Sequence, residues 1–268
     1  MEIFDENIMK FQRKVFTFYK KHKRKLPWRT THDPYKILLS ELMLQQTQVN
    51  RVIIYYKTWI QKWPTIRHLA SASRHEVLRA WMGLGYNTRA IHLHKAAQKI
   101  AKDFDGDVLQ AMKHYEEIPG VGRYTSQAVL LFATNADLVT VDTNVRRIFI
   151  HEFKLPETIS EKTLWALAER CLPKGRSRDW HNALMDYGAL HLTSQKTGIK
   201  PKTQQSRFEG SDRQIRAQVL RLLLKKGLTF HELQNILFVE DTRLQKIVEK
   251  MVKEQLIQIN KKKYVLNK

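Results

Sequence analysis

The chain has one cysteine, Cys171, so a disulfide within the chain is excluded. A zinc or iron–sulfur site built from several thiolates is excluded for the same reason. Cys171 lies in the apolar run from Leu164 to Leu172, at helical spacing, and is expected to be a buried, inert thiol. No apolar run approaches the roughly 20 residues needed to span a bilayer. The start of the sequence, Met1-Glu2-Ile3-Phe4-Asp5-Glu6, has no basic stretch followed by an apolar one. No secretory signal is expected, and the expected location is cytoplasmic. Acidic residues are scarce: 26 against 47 lysines and arginines, a formal net charge of +21. A chain this basic repels itself unless an anionic partner neutralises it. The phosphates of a nucleic acid are the partner this balance points to, against the blander reading of a solubilised surface. Internal repeats are absent, and strand-like alternation is weak over the first three-quarters of the chain. With 43% apolar and 27% charged residues among 268, the composition is that of a globular protein. The chain is long enough to bury the core of one large domain or two smaller ones.

Residues 1–195 read as a string of helices. Apolar side chains recur at three- and four-residue spacing in Phe11-Val15-Phe18-Tyr19, in Ile37-Leu38-Leu42 and in Val52-Ile53-Tyr56-Trp59. Glycine and proline punctuate the string at Leu26-Pro27, Trp63-Pro64, Gly83-Leu84-Gly85, Gly106 and Pro119-Gly120-Val121-Gly122. Ser73, Asp107 and Ser160 stand where helix N-caps are expected. Periodicity breaks between Ser194 and Gly210, a Lys/Gln/Thr/Ser-rich stretch, and 196–210 is expected to be a loop or linker. Residues 211–268 show a different pattern. An amphipathic helix is expected from Asp212 to Lys226, and helices from Thr229 to Leu237 and from Asp241 to Glu254 around a turn. Two short strands, Leu256–Ile259 and Tyr264–Leu266, are joined by a basic turn. That order is the outline of a winged-helix-like domain.

Three motifs carry chemistry. In Ile118-Pro119-Gly120-Val121-Gly122-Arg123-Tyr124-Thr125, two glycines permit torsions that other residues resist. They leave bare N–H groups at the start of a helix near Arg123, which is an anion site, with the Arg123 charge beside it. A tight turn between helices is the unliganded alternative. In Val139-Thr140-Val141-Asp142-Thr143-Asn144-Val145-Arg146-Arg147, Asp142 follows an apolar run and precedes a helical one. Taken alone it reads as an N-cap, a commoner role for aspartate than catalysis. In Leu39-Ser40-Glu41-Leu42-Met43-Leu44-Gln45-Gln46-Thr47-Gln48-Val49, Glu41 stands in an apolar stretch whose face is marked by Leu38, Leu42 and Val49. A carboxyl group against an apolar face has a raised pKa and can donate a proton near neutrality. A solvent-facing Glu is the alternative, but Gln45 and Gln46 add amide groups beside it.

With these motifs in order, the chain resembles the helix-hairpin-helix DNA glycosylase superfamily, and within it the MutY-type adenine DNA glycosylases. The resemblance runs over about residues 10–195. It is carried by Leu26-Pro27-Trp28-Arg29, Asp33-Pro34-Tyr35, Ser40-Glu41 through Gln48-Val49, Gly83-Leu84-Gly85-Tyr86-Asn87, Ile118 through Thr125, Val141 through Val145, and Asp186-Tyr187-Gly188-Ala189. It implies a mainly α fold and a two-lobed core with the DNA site between the lobes, to which the pattern of residues 211–268 adds the small winged-helix-like domain. It implies Glu41 as the general acid that protonates adenine at N7, and Asp142 as the carboxylate facing the cationic sugar, the pairing known from glycoside hydrolysis. Tyr124 and Asn144 match residues that hydrogen-bond near the anomeric carbon and these carboxylates. Arg24, Leu26, Trp28, Arg29, Gln46 and Val49 match the pocket around the extruded base. Gln46 and Tyr86 match residues that wedge into the duplex, since the glycosidic bond cannot be reached in a stacked helix. DNA contacts are expected from Gln46, Thr47, Leu84, Gly85, Tyr86, Gly120, Val121, Gly122, Arg123 and Thr125, with Lys261, Lys262 and Lys263 as a basic wing.

Relatives of the endonuclease III type with lyase activity carry a nucleophilic Lys where this chain has Tyr124, so hydrolysis without strand scission is expected. Many relatives hold an iron–sulfur cluster on four cysteines just after the core. The stretch from Leu192 to Arg207 contains none, so no cluster, no metal and no other cofactor is expected. The family's larger C-terminal domain that senses 8-oxoguanine is not matched by the last sixty or so residues, which puts recognition of that base in question. The expected partner is double-stranded DNA with a mismatch or lesion. The expected protein is a monomer that engages no membrane and is associated with the nucleoid. Two competing readings are a thymine or uracil glycosylase acting opposite G, and a non-catalytic DNA-binding module.

Overall fold

A computed structural model describes residues 4–201 and 207–267. In chain order the helices are α1 (Asp5–His22), α2 (Pro34–Leu44), α3 (Val49–Lys62), α4 (Ile66–Ser71), α5 (Arg74–Trp81), α6 (Thr88–Asp103), α7 (Val108–Lys113), α8 (Arg123–Thr134), α9 (Thr143–Glu152), α10 (Glu161–Arg170), α11 (Ser177–Asp186), α12 (Ser194–Thr197), α13 (Asp212–Leu223), α14 (Phe230–Leu237) and α15 (Asp241–Lys253). A hairpin of β1 (Ile257–Asn260) and β2 (Lys263–Leu266) follows. The mainly α expectation holds. Among the described residues, no helix is long and apolar enough to cross a membrane.

The helix starts are written locally. Ser73 accepts from the Glu76 N–H and Glu76 returns the bond, a full capping box at α5. Ser160 caps α10, Thr229 and Glu232 box α14, and Asp107 immediately precedes α7. Two expectations need correction. The stretch Leu39–Val49 does not continue as one helical face: α2 ends at Leu44, Gln46 turns the chain with φ +55°, and Val49 opens α3. The aperiodic stretch after Ser194 begins with one helical turn, α12, capped by Thr193 and closed by Gly198 at φ +73°. Within that loop, residues 202–206 lie outside the described residues.

Residues fall into two compact units that interleave along the chain: Met1–Glu41 with Leu109–Glu117 and Val121–Gln204, and Leu42–Val108 with Ile118–Gly120 and Gln205–Lys268. In the first, α1 buries Ile8, Phe11, Val15 and Tyr19 against α9, α10 and α11. The Phe11 ring meets Phe149, Phe153 and Trp180 edge-on at 5.9, 5.1 and 5.5 Å, the favoured aromatic geometry. Cys171 is fully buried in this core, and burial pushes its thiol up to about 12, as expected of an inert cysteine. In the second unit, Trp59 packs edge-on against Trp63 and Trp81, and α6 buries Leu93, Ala96, Ala97 and Ile100. Its C-terminal part has its own small core of Ile215, Val219, Leu233, Leu244, Val248, Met251 and Tyr264. The hairpin register pairs Ile257 with Leu266 and Asn260 with Lys263, which leaves Lys261 and Lys262 as a two-residue turn, both at positive φ.

Candidate active site

Helix α2 is apolar nearly all round: Tyr35, Ile37, Leu38, Leu39, Leu42 and Met43 are buried. Its carboxylate, Glu41, keeps only part of its surface accessible. The Glu41 carboxyl is raised from 4.5 to about 7: burial contributes most, the negative charge of Asp142 adds to the rise, and a hydrogen bond with Tyr124 works the other way. The Tyr124 hydroxyl, in the first turn of α8, is pushed far above the ordinary phenol range by burial and by the two neighbouring carboxylates. Such a phenol stays protonated and donates to Glu41.

Asp142 fulfils the N-cap reading and more. Its Oδ1 accepts from the Val145 N–H at 2.7 Å, capping α9, while Oδ2 accepts from Asn144 Nδ2 at 2.9 Å. Burial raises the Asp142 carboxyl, and these hydrogen bonds together with the Arg147 charge offset part of the rise. Asn144 is itself held, because Arg147 Nη2 donates to its Oδ1 at 2.6 Å and to the Gly188 carbonyl at 3.0 Å. Arg147 Nε closes the brace on the Leu192 carbonyl at 2.6 Å. A Cβ on Gly188 would come within 3.1 Å of Asn144 Cβ and of Ile148 Cδ1, so a larger residue there would press on Asn144. The sequence motif contained Arg147, but only the fold gives it this task. The four expected catalytic residues, Glu41, Tyr124, Asp142 and Asn144, therefore belong to one unit and interact through charge and hydrogen bonding. Chemically they offer an acid poised near neutrality beside a carboxylate fixed by backbone and amide donors.

Arg24 and Arg29 meet on a residue that sequence reasoning assigned no role. Asp186 accepts from Arg24 Nε at 2.5 Å and from Arg29 Nη1 and Nη2 at 2.8 Å each. The two guanidinium groups hold the Asp186 carboxyl below its usual range against the effect of burial. Leu26 and Trp28 are buried beside them in sequence, Gln46 is exposed and Val49 is half-buried.

At the hairpin, Gly120 adopts φ +75°, and a Cβ there would sit 2.5 Å from His92 Cβ. Gly122 is exposed, starts α8 with no side-chain cap, and has nothing within 4 Å of an added Cβ. Its surroundings are open, as an anion site requires. The Arg123 guanidinium is exposed and lies 4.1 Å over the Trp165 ring, while Val121 and Thr125 are buried. In the second unit, Thr47, Leu84, Gly85 and Tyr86 gather around Arg89, a buried cation that the sequence did not single out. Lys261, Lys262 and Lys263 are exposed at the hairpin tip.

The family model for the HhH-GPD superfamily of base excision DNA repair proteins matches residues 39–174, about half the chain. An adenine DNA glycosylase of Mycolicibacterium smegmatis is 36% identical over 230 residues, covering 78% of each chain. The human adenine DNA glycosylase is 36% identical over 199 residues, covering 69% of this chain and 36% of the human one. A solved thermostable thymine-DNA glycosylase superposes with a TM-score of 0.65 at 30% identity, covering 74% of this chain and 91% of that one. The chain belongs to the HhH-GPD superfamily. It spans little more than a third of the length of the mammalian adenine glycosylases it matches.

Proposed function

We propose that this protein is a monofunctional adenine DNA glycosylase of base excision repair, acting as a monomer on nucleoid DNA at A opposite G or 8-oxoguanine. The observation that carries the reading is Glu41, a carboxyl raised to about 7 beside Asp142 and hydrogen-bonded to Tyr124. In the reaction, the Glu41 proton goes to N7 of the extruded adenine, and the C1′–N9 bond breaks with its electron pair leaving on the base. Asp142 faces the resulting sugar cation, and water adds its oxygen to C1′ and releases a proton. Tyr124 offers no amine, so no covalent sugar adduct forms and the strand stays intact. The curated relatives named as adenine DNA glycosylases support the substrate, and the basic excess supports the duplex partner.

In this reading residues 1–195 form the catalytic core, which contains the whole family match. Residues 196–210 link it to a winged-helix-like segment, 211–268, whose lysines 261–263 approach phosphate as point charges. One thiol cannot supply a four-thiolate cluster, so the core works without one. Arg24, Leu26, Trp28, Arg29, Gln46 and Val49 line the base, with the two arginines acting through Asp186. A panel of A:8-oxoguanine, A:G, T:G and U:G duplexes tests the reading: adenine is released from the first two. Release of thymine or uracil alone would replace it with the activity in the name of the thymine-DNA glycosylase neighbour.

A further inference from the structure

Tyr86 stands in a turn between α5 and α6 whose backbone is unusual. Gly83 and Gly85 have φ of +104° and +74°, and Tyr86 itself has φ +48°. An aromatic residue in the left-handed region is strained and persists only where its surroundings over-determine it. Arg89 supplies much of that constraint. Its Nη1 donates to the carbonyls of Leu42, Met43 and Gln45 at 2.8, 3.0 and 2.6 Å, capping the end of α2 from the residue after Glu41 onward. Its Nη2 donates to Thr47 Oγ1, Leu84 O and Gly85 O at 3.0, 3.2 and 2.9 Å. One guanidinium thus casts the turn bearing Gln46 and the turn bearing Tyr86 as a single piece, and burial lowers its pKa to about 10.

Two guanidinium groups lie over the Tyr86 ring, Arg89 at 5.6 Å and Arg213 at 5.5 Å from its centroid. Arg213 Nη1 also donates to Tyr86 Oη at 3.2 Å. Arg213 comes from the first turn of α13, more than a hundred residues away in the C-terminal segment. That segment is anchored on the two helices flanking the turn. The Leu224 carbonyl meets His75 Nε2 at 3.2 Å, the Gln255 carbonyl accepts from Arg74, and Gln255 Oε1 accepts from Lys95 Nζ at 2.6 Å. Docking alone is satisfied by those contacts, so the reach of Arg213 to a strained, half-exposed aromatic is additional to it.

We propose that Arg213 is a positioning residue for Tyr86, and that the C-terminal segment takes part in base extrusion as well as in holding DNA. The proposal rests on the glycosylase reading above, in which Tyr86 enters the duplex. A ring contacted by both Arg89 and Arg213, and held at its hydroxyl by Arg213, is presented in one orientation, which lowers the entropy lost on insertion.

The test uses the full chain with 2-aminopurine beside the mismatch in A:G and T:G duplexes, so that unstacking is read whichever base is extruded. Arg213→Met should cut the fluorescence rise and the single-turnover rate about tenfold, with affinity for undamaged duplex changed less than about twofold. Arg213→Lys should recover part of the loss, and the conservative variant keeps the test open if the methionine variant folds poorly. In a Tyr86→Ala background, Arg213→Met should add nothing. Unchanged extrusion in Arg213→Met, or losses that add independently to those of Tyr86→Ala, would overturn the proposal. A wild type that unstacks the probe yet releases no adenine would sink the substrate reading and leave this one standing.

Discussion

A carboxyl group serves as a proton donor near neutrality only if its charged form is made unfavourable. At Glu41 burial does most of this, with help from the Asp142 charge, and Tyr124 limits it through its hydrogen bond. Activity should therefore decline as pH rises through about 7, close to tenfold per unit beyond it, in a single-turnover profile. The same shift carries a stability consequence. Below about 4.5 the group is protonated in both folded and unfolded chains, and between 4.5 and about 7 only the unfolded chain ionises. The native state then binds more protons, so stability falls as pH rises through this window. Glu41→Gln removes the penalty. At pH 8 it should melt no lower than wild type, and higher by an amount corresponding to about 1–3 kcal/mol, as calorimetry would read. Asp142→Asn keeps a good N-cap residue at α9 and removes the charge, so it should cost about 10²–10³ in rate with little change in melting temperature. A matching collapse of stability would show that the charge serves the fold and not the chemistry.

At the scale of elements, the hairpin before α8 separates two uses of glycine. Gly120 has φ +75° and lies against His92, so Gly120→Ala should destabilise by about 1–3 kcal/mol through strain and overpacking. Gly122 has an ordinary φ of −105° and open surroundings, so Gly122→Ala should leave the melting temperature nearly unchanged. It places a methyl group where phosphate would approach, and duplex affinity should weaken by severalfold without regard to the lesion. If both variants melt alike and bind alike, the hairpin is a plain connector. Helix α9 makes the complementary point, because its cap is also the carboxylate of the site. The N-cap role of Asp142 is compatible with the proposed catalytic one, since capping is what fixes the carboxylate.

Across the whole molecule, what was legible in the sequence followed from local rules. Capping residues, apolar spacing in α1 and the isolated carboxylate in α2 all operate within a few residues of chain. The braces were not legible, because each joins distant segments: Arg147 with Leu192, Arg24 and Arg29 with Asp186, Arg89 with two turns, Arg213 with Tyr86. Nothing in an arginine's own neighbourhood shows where its guanidinium will be spent. The end of α2 at Leu44 was missed for a related reason, since the carbonyls there are capped by Arg89, about 45 positions on. Taken whole, the charge of +21 predicts affinity that falls steeply with salt, and with one thiol the purified protein should be colourless and free of stoichiometric iron. Visible absorbance with bound iron would refute the reading of a core that works without a cluster. The central claim is that Glu41 drives hydrolytic loss of adenine, and one single-turnover assay on an A:8-oxoguanine duplex addresses it. Wild type should release free adenine and leave a strand that breaks only after alkali, while Glu41→Gln should bind the same duplex and release base about 10²–10⁴ times more slowly. Near-wild-type release by Glu41→Gln, or no adenine from the wild type, would contradict it.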